Sequence, residues 1–142
     1  MYSFAPLLEK SATLEDPSRV IVTASIAGLQ TGSLGEQGTY GYSASKAAVI
    51  HLTRNLAVEL GPRHILCNSI APGFFPSKMA AGLMALYGGE DVMAKMNPNQ
   101  RLGRKEDIAG AVVYLASRAS SHVNGACLTL DGGALWAKTA KM

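Results

Sequence analysis

Three short apolar runs, each closed by a turn signal, constrain the fold of this chain more than any other feature. They lie at residues 19–25 (RVIVTAS), 64–71 (HILCNSIA) and 126–131 (ACLTLD). Continuous apolar runs of this length, rich in β-branched residues, are typical of strands that are buried on both faces of a parallel sheet. The three runs therefore predict three strands of one sheet.

The stretches between the runs carry helical patterns. From Ser43 to Leu60 apolar residues recur every three or four positions, and Gly61-Pro62 ends the pattern. A second helix is predicted at 105–117, where acidic residues in the first turn would interact favourably with the helix dipole. Strand–helix–strand–helix–strand indicates an α/β fold. The remaining segments are the end of an apolar helix at 2–8, a polar loop at 9–19, a glycine-rich loop at 28–41 and a loosely amphipathic Met-rich segment at 77–96.

Size and composition indicate part of a larger globular domain. The chain has 142 residues, of which 48% are hydrophobic and 16% charged, enough for an apolar core. The chain has only three predicted strands and about three predicted helices, however, and three strands make a thin sheet. We therefore expect residues 1–142 to form the C-terminal part of a single Rossmann-like, doubly wound parallel domain.

Several classes of partner are disfavoured. The net charge is +3, but the basic residues are scattered and form no stripe with aromatics, so nucleic acid is not expected. No apolar stretch approaches the roughly 20 residues of a membrane span. Cys67 and Cys127 lie in apolar runs without a zinc-like spacing, which predicts buried, reduced thiols, no metal site and a cytoplasmic protein.

Tyr42 and Lys46 are the first candidates for chemistry. They stand four residues apart at the start of the predicted helix, so they share one helix face. A free phenol loses its proton only well above neutral pH, and a nearby positive charge stabilises the phenolate. The pair is a plausible general acid/base. On spacing alone, a surface Tyr and Lys sharing a face is the simpler interpretation.

The position of Ser25 favours the catalytic interpretation of Tyr42 and Lys46 over the structural one. It follows the first predicted strand, just before the glycine-rich loop that leads to Tyr42. Open α/β sheets place their sites at the carboxyl ends of strands. A serine hydroxyl at that position can donate to a substrate carbonyl oxygen, although it can also simply cap the strand end.

With these residues the sequence resembles the short-chain dehydrogenase/reductase family over residues 19 to 133. The resemblance implies that Ser25 polarises a substrate carbonyl, that Tyr42 is the acid/base, and that Lys46 assists Tyr42 and holds the nicotinamide ribose. Its motifs appear in the family's order: VIVTASIAG, YGYSASKAAV, LAVEL, NSIAPG, RLGRKEDIA and NGACLTLDGG.

The resemblance also implies a cofactor and partners. The cofactor is NADP or NAD, met here at its nicotinamide end by Tyr42, Lys46 and the loop residues Pro72, Gly73, Phe75 and Ser77. The substrate is a small carbonyl compound or alcohol. The complete protein is a homodimer or tetramer, with the 44–60 helix at an interface. The sequence from Gly73 to Ser77 is most similar to that of 3-oxoacyl reductase-type members.

The sequence departs from the family pattern in two places. The interval from Ser25 to Tyr42 is about four residues longer than usual, and Tyr40 competes as a second tyrosine. The family's T-G-x-x-x-G-x-G phosphate loop and N-A-G segment are absent from the 142 residues, and the glycines of 28–41 do not have that spacing. A truncated or non-catalytic chain that acts as an assembly partner is therefore the alternative. A serine hydrolase using the S-x-x-K string at Ser43–Lys46 ranks third, because its companion motifs are absent.

Overall fold

The computed structural model describes residues 3–31, 34–78 and 80–137. Three strands and six α-helices alternate along these ranges, and short 3-10 turns lie at Ile26–Gly28, Gly35–Gln37, Gly61–Arg63 and Arg118–Ser120. The strands and helices are α1 (Ala5–Ser11), β1 (Ser18–Thr23), α2 (Tyr40–Leu60), β2 (Ile65–Pro72), α3 (Ala81–Leu86), α4 (Glu90–Met96), α5 (Lys105–Ala116), β3 (Cys127–Leu130) and α6 (Ala134–Ala137).

The three strands form one parallel sheet in the order β1-β2-β3. Ser18 to Thr23 of β1 pair in register with Ile65 to Ile70 of β2. On the other side, Ser69 to Pro72 pair with Cys127 to Leu130 of β3. The predicted α/β class and the three strands are confirmed, and β2 is the central strand.

Helices cover both faces of the sheet, so the predicted doubly wound arrangement is confirmed. Residues of β2 alternate between the faces, as the pleat of a strand requires. Cys67 packs with Ala57 and Leu60 of α2 on one face. Ile70 packs with Ala111 and Leu115 of α5 on the other face. No helix of the described ranges is long and apolar enough to cross a membrane.

Several predicted boundaries and environments were wrong. β1 is only partly buried, because β2 is its only paired neighbour among the described residues. Helix α2 begins at Tyr40, three residues before the predicted start. Helix α1 continues to Ser11, where a loop was expected from Glu9; Tyr2 lies outside the described residues. The Met-rich segment, for which no helix bounds were predicted, forms the two short helices α3 and α4, and Gly88 and Gly89 between them have positive φ.

Two asparagine side chains tie β3 to the rest of the sheet. Asn68 is 2% exposed; its Nδ2 donates to the Val123 carbonyl and its Oδ1 accepts from the Ala126 amide. Asn124 accepts from the Cys67 amide and donates to the Ala57 carbonyl of α2. These bonds satisfy buried backbone groups and fix the start of β3 beside β2.

The two cysteines are free thiols in different environments. Cys67 is buried in β2, and desolvation raises the pKa of its thiol to about 11. Cys127 is only partly buried at the start of β3, so the prediction of a buried thiol is confirmed for Cys67 and only in part for Cys127.

Candidate active site

Ser25 lies two residues beyond the end of β1, at the carboxyl edge of the sheet. The Ala24 amide donates to the Ile70 carbonyl at 2.8 Å and fastens this point to β2. The Ser25 hydroxyl oxygen accepts a hydrogen bond from the Ala27 amide at 3.2 Å, which caps the turn Ile26–Gly28. A hydroxyl keeps its own proton when it accepts, so Ser25 combines a cap with a free donor.

Tyr42 and Lys46 lie in the first turns of α2 on one face, as their spacing predicts. The Lys46 ammonium nitrogen is 5.6 Å from the centroid of the Tyr42 ring. The same nitrogen donates to the Thr23 carbonyl at 3.1 Å, so Lys46 connects α2 with the end of β1. Tyr42 is 40% exposed. The competing Tyr40 is 61% exposed, and its hydroxyl oxygen accepts from the Gly35 amide at 3.0 Å.

Gly28 sets how closely the turn after Ser25 approaches α2. A Cβ added there would lie 2.6 Å from the Ala47 nitrogen and 2.6 Å from the Lys46 carbonyl carbon. Such distances are far inside van der Waals contact. The glycine therefore lets the chain after Ser25 lie directly on the helix backbone at Lys46.

We expect Gly28→Ala to lower the free energy of unfolding by about 1–3 kcal/mol, the usual cost of overpacking. The added methyl group meets backbone atoms, which cannot rotate away. Urea denaturation of residues 1–142 measures the difference. Gly41→Ala is the matched control, because Gly41 lies in α2, the helix that Gly28 approaches, and an added Cβ there meets no atom within 4 Å beyond its chain neighbours and the backbone of its own helix. Equal losses in both variants would contradict the close approach at Gly28.

The loop after β2 begins beside Ser25. Pro72 is the last residue of β2. The Gly73 amide donates to the Leu130 carbonyl at 3.0 Å, and a Cβ on Gly73 would lie 2.8 Å from Cβ of Asp131 and 3.4 Å from Cδ1 of Ile26. Gly73 thus packs between the end of β3 and the turn that follows Ser25.

Phe75 and Ser77 lie farther along this loop. Phe75 is partly buried, and its ring lies against Gly103. Ser77 is exposed, and its hydroxyl oxygen accepts from the Ala80 amide at 3.1 Å, in the turn that leads to α3. The contact between Gly103 and this loop was not predicted from the sequence; the only signal was the glycine within the motif RLGRKED.

The donor set at this edge suits the nicotinamide end of a dinucleotide. It combines a phenol, an ammonium group, two hydroxyls and the backbone of a loop in which Gly73 leaves no room for a side chain. Dinucleotides bind beyond the carboxyl ends of strands in open α/β sheets. Within the described ranges, no group of three or more His, Cys, Asp or Glu side chains is arranged to hold a metal ion.

A family model described as enoyl-(acyl carrier protein) reductase matches residues 1–134. This chain belongs to the short-chain dehydrogenase/reductase family. The family resemblance predicted from the sequence is therefore confirmed. Its similarity to 3-oxoacyl reductase-type members is confirmed as well, since one relative is the rhamnolipids biosynthesis 3-oxoacyl-(acyl-carrier-protein) reductase of Pseudomonas aeruginosa. That relative is 41% identical over 128 residues, which are 90% of this chain and 49% of the relative.

Other members of the short-chain dehydrogenase/reductase family match a similar share of this chain. PhomF' of Diaporthe leptostromiformis, a short-chain dehydrogenase/reductase, is 36% identical over 139 residues, 94% of this chain and 46% of its own length. The solved NADP active-site complex of Pseudomonas aeruginosa RhlG superposes with a TM-score of 0.80 at 40% identity, covering 92% of this chain and 51% of that one. The chain spans about half the length of the curated relatives it matches.

Proposed function

We propose that this chain supplies the catalytic and nicotinamide half of an NAD(P)-dependent oxidoreductase that acts on a small carbonyl compound or alcohol. The observation that carries the proposal is the position of Lys46, beside the Tyr42 ring and bonded to the end of β1, next to Ser25. The NADP complex of RhlG, which shares this half of the fold, supports the choice of cofactor. We also propose that residues 1–142 form the C-terminal portion of one Rossmann domain.

In the reducing direction the side chains handle the proton and the carbonyl oxygen. The Ser25 hydroxyl, oriented by its bond from Ala27, donates to the substrate oxygen and polarises the carbonyl. The Tyr42 hydroxyl transfers its proton to that oxygen, which becomes the alcohol, and a phenolate remains at Tyr42. The Lys46 ammonium stabilises this phenolate through its charge. In the oxidising direction the phenolate takes the proton back from the alcohol.

The cofactor would be held by groups around the same point. Lys46 has three N–H donors, of which one meets Thr23, so two remain for the phenolate and a ribose hydroxyl. The backbone from Pro72 to Phe75 and the hydroxyl of Ser77 would meet the nicotinamide. When bound, the nicotinamide ring supplies or accepts the hydride.

A complementation assay tests the proposal. Residues 1–142 are co-expressed with the N-terminal half of the Pseudomonas aeruginosa reductase, and the purified complex is assayed for NADPH oxidation with 3-oxoacyl thioesters and keto sugar acids. We expect substrate-dependent oxidation. A soluble, assembled complex that oxidises no NADPH with any of these carbonyl compounds would count against the proposal.

A cytoplasmic location stays a prediction from cysteine usage.

We also expect the outer face of α2 to form a subunit interface. Leu52 is 54% exposed there, and the exposed small residues Ala47 and Ala48 leave room for a neighbouring backbone. Leu52→Glu should convert a dimer or tetramer into a smaller species, because it places a charge in an apolar contact. Light scattering of the assembled protein at micromolar concentration measures the mass. Leu14→Glu, at a residue that is 75% exposed outside any helix, is the control; an unaltered protein that is already monomeric overturns the expectation.

A further inference from the structure

An ion pair closes the turn that precedes α5. The Arg101 guanidinium binds both oxygens of Asp107, with Nη1 at 2.7 Å from Oδ2 and Nη2 at 2.9 Å from Oδ1. Asp107 Oδ2 also accepts from the Arg104 amide at 2.8 Å and so caps the helix. The Arg101 hydrogen bonds, followed by the bond from the Arg104 amide, lower the pKa of Asp107 to about 2. The pair is therefore fully charged at neutral pH.

The turn between Arg101 and Arg104 is anchored on its other side as well. Asn97 is 3% exposed, and its Nδ2 donates to the Arg101 carbonyl at 2.6 Å. Arg101 Nη1 also donates to the Leu102 carbonyl at 3.0 Å. The Leu102 side chain is buried with Met84 and Met93. The side chains of Arg101 and Asp107 are themselves partly exposed, at 40% and 34%.

Gly103, in the middle of this turn, contacts the loop that follows β2. Its amide donates to the Phe74 carbonyl at 3.0 Å. A Cβ on Gly103 would lie within 2.6 Å of three atoms of the Phe75 ring, so the ring lies directly against the glycine. The turn held by Arg101 and Asp107 therefore forms the surface on which Phe75 rests.

Beside the ring there is space into which it could move. A cavity of about 210 Å³ is lined by Phe75 and Gly103 together with the ion pair, Asn99 and Asp131. In a close-packed region the neighbours of a ring fix its position, whereas here the ring has Gly103 on one side and also lines this cavity. The position of the loop consequently depends on where the turn places Gly103.

We propose that Arg101 and Asp107 are positioning residues: their ion pair fixes Gly103, and through it the Phe74–Phe75 loop of the nicotinamide site. The inference deepens the proposed function and rests on it for the role of the loop in cofactor binding. Its first half, the coupling between ion pair and loop, concerns the conformation of residues 1–142 and is measured without any ligand.

Fluorine NMR tests the coupling. The chain has three phenylalanines, so labelling with 4-fluorophenylalanine gives three signals, and Phe75→Leu assigns that of Phe75. Asp107→Asn keeps an oxygen acceptor for the Arg104 amide but removes the charge, and we expect it to shift the Phe75 signal. Gly103→Ala, which displaces the ring directly, should shift it too. Glu106→Gln is the matched control in the same helical turn, because Glu106 makes only a 3.9 Å pair with Lys105.

Ligand binding then separates this inference from the proposed function. Reduced nicotinamide mononucleotide is titrated by saturation-transfer NMR, and Asp107→Asn should weaken its binding about tenfold, equivalent to one hydrogen bond. A lower melting temperature with an unchanged Phe75 signal would show a purely structural ion pair and overturn the inference. Failure of the unaltered complemented protein to bind the mononucleotide would contradict the proposed function instead. Should Asp107→Asn not fold, Arg101→Lys, which keeps the charge but loses the two-pronged contact, gives the same readout.

Discussion

Replacing Tyr42 with Phe is expected to lower kcat for carbonyl reduction by about two to four orders of magnitude, the usual contribution of a positioned general acid. The variant keeps the ring beside Lys46 and removes only the hydroxyl that we propose as the proton donor to the substrate. Cofactor affinity should change little, because the loop after β2 and Lys46 remain. The measurement is steady-state NADPH oxidation by the complemented protein, together with cofactor titration.

Tyr40→Phe is the matched control for this loss. Tyr40 precedes Tyr42 by two residues in the same helical turn, so its side chain points to a different side of the helix. Its hydroxyl accepts from the Gly35 amide at an exposed position, so its removal should reduce activity only slightly. The reverse ranking of the two variants would show that Tyr40 is the acid/base.

Residues 1–142 alone are expected to bind NADPH several powers of ten more weakly than a complete relative. Dinucleotide affinity comes largely from the pyrophosphate at a helix N-terminus and from the adenosine ribose. The 142 residues contain no glycine loop of the required spacing. Losing three charge-assisted hydrogen bonds at about 1.5–3 kcal/mol each corresponds to about three to six powers of ten in affinity.

A comparison of the affinities for two ligands tests this expectation directly. If only the nicotinamide end is held, the chain should bind NADPH and reduced nicotinamide mononucleotide with nearly equal affinity. Isothermal titration compares them, with RhlG, which was solved as an NADP complex, as the reference. Micromolar binding of NADPH, or a strong preference for it over the mononucleotide, would point to a phosphate site within residues 1–142 and contradict the expectation.

The sequence predicted those features that depend on local patterns. Three apolar runs were enough for the strands, and the four-residue spacing of Tyr42 and Lys46 was enough to place them on one helix face. The burial of β1 was mispredicted, because it depends on which strands lie beside it. The contact between Gly103 and Phe75 joins residues 28 positions apart, and no local pattern reports such a contact.

The hydrogen bond between Lys46 and Thr23 also occupies a backbone carbonyl on the side of β1 that faces away from β2. The Ala24 amide points toward β2, and in a planar trans peptide the carbonyl of Thr23 must then point away from β2. Free carbonyls along an open strand edge are templates for pairing with another chain, and lysines are a common means of blocking them. Under the proposed mechanism, a substitution at Lys46 would therefore remove both the charge beside Tyr42 and the bond that occupies this carbonyl, so the activity of such a variant has to be compared with its state of association.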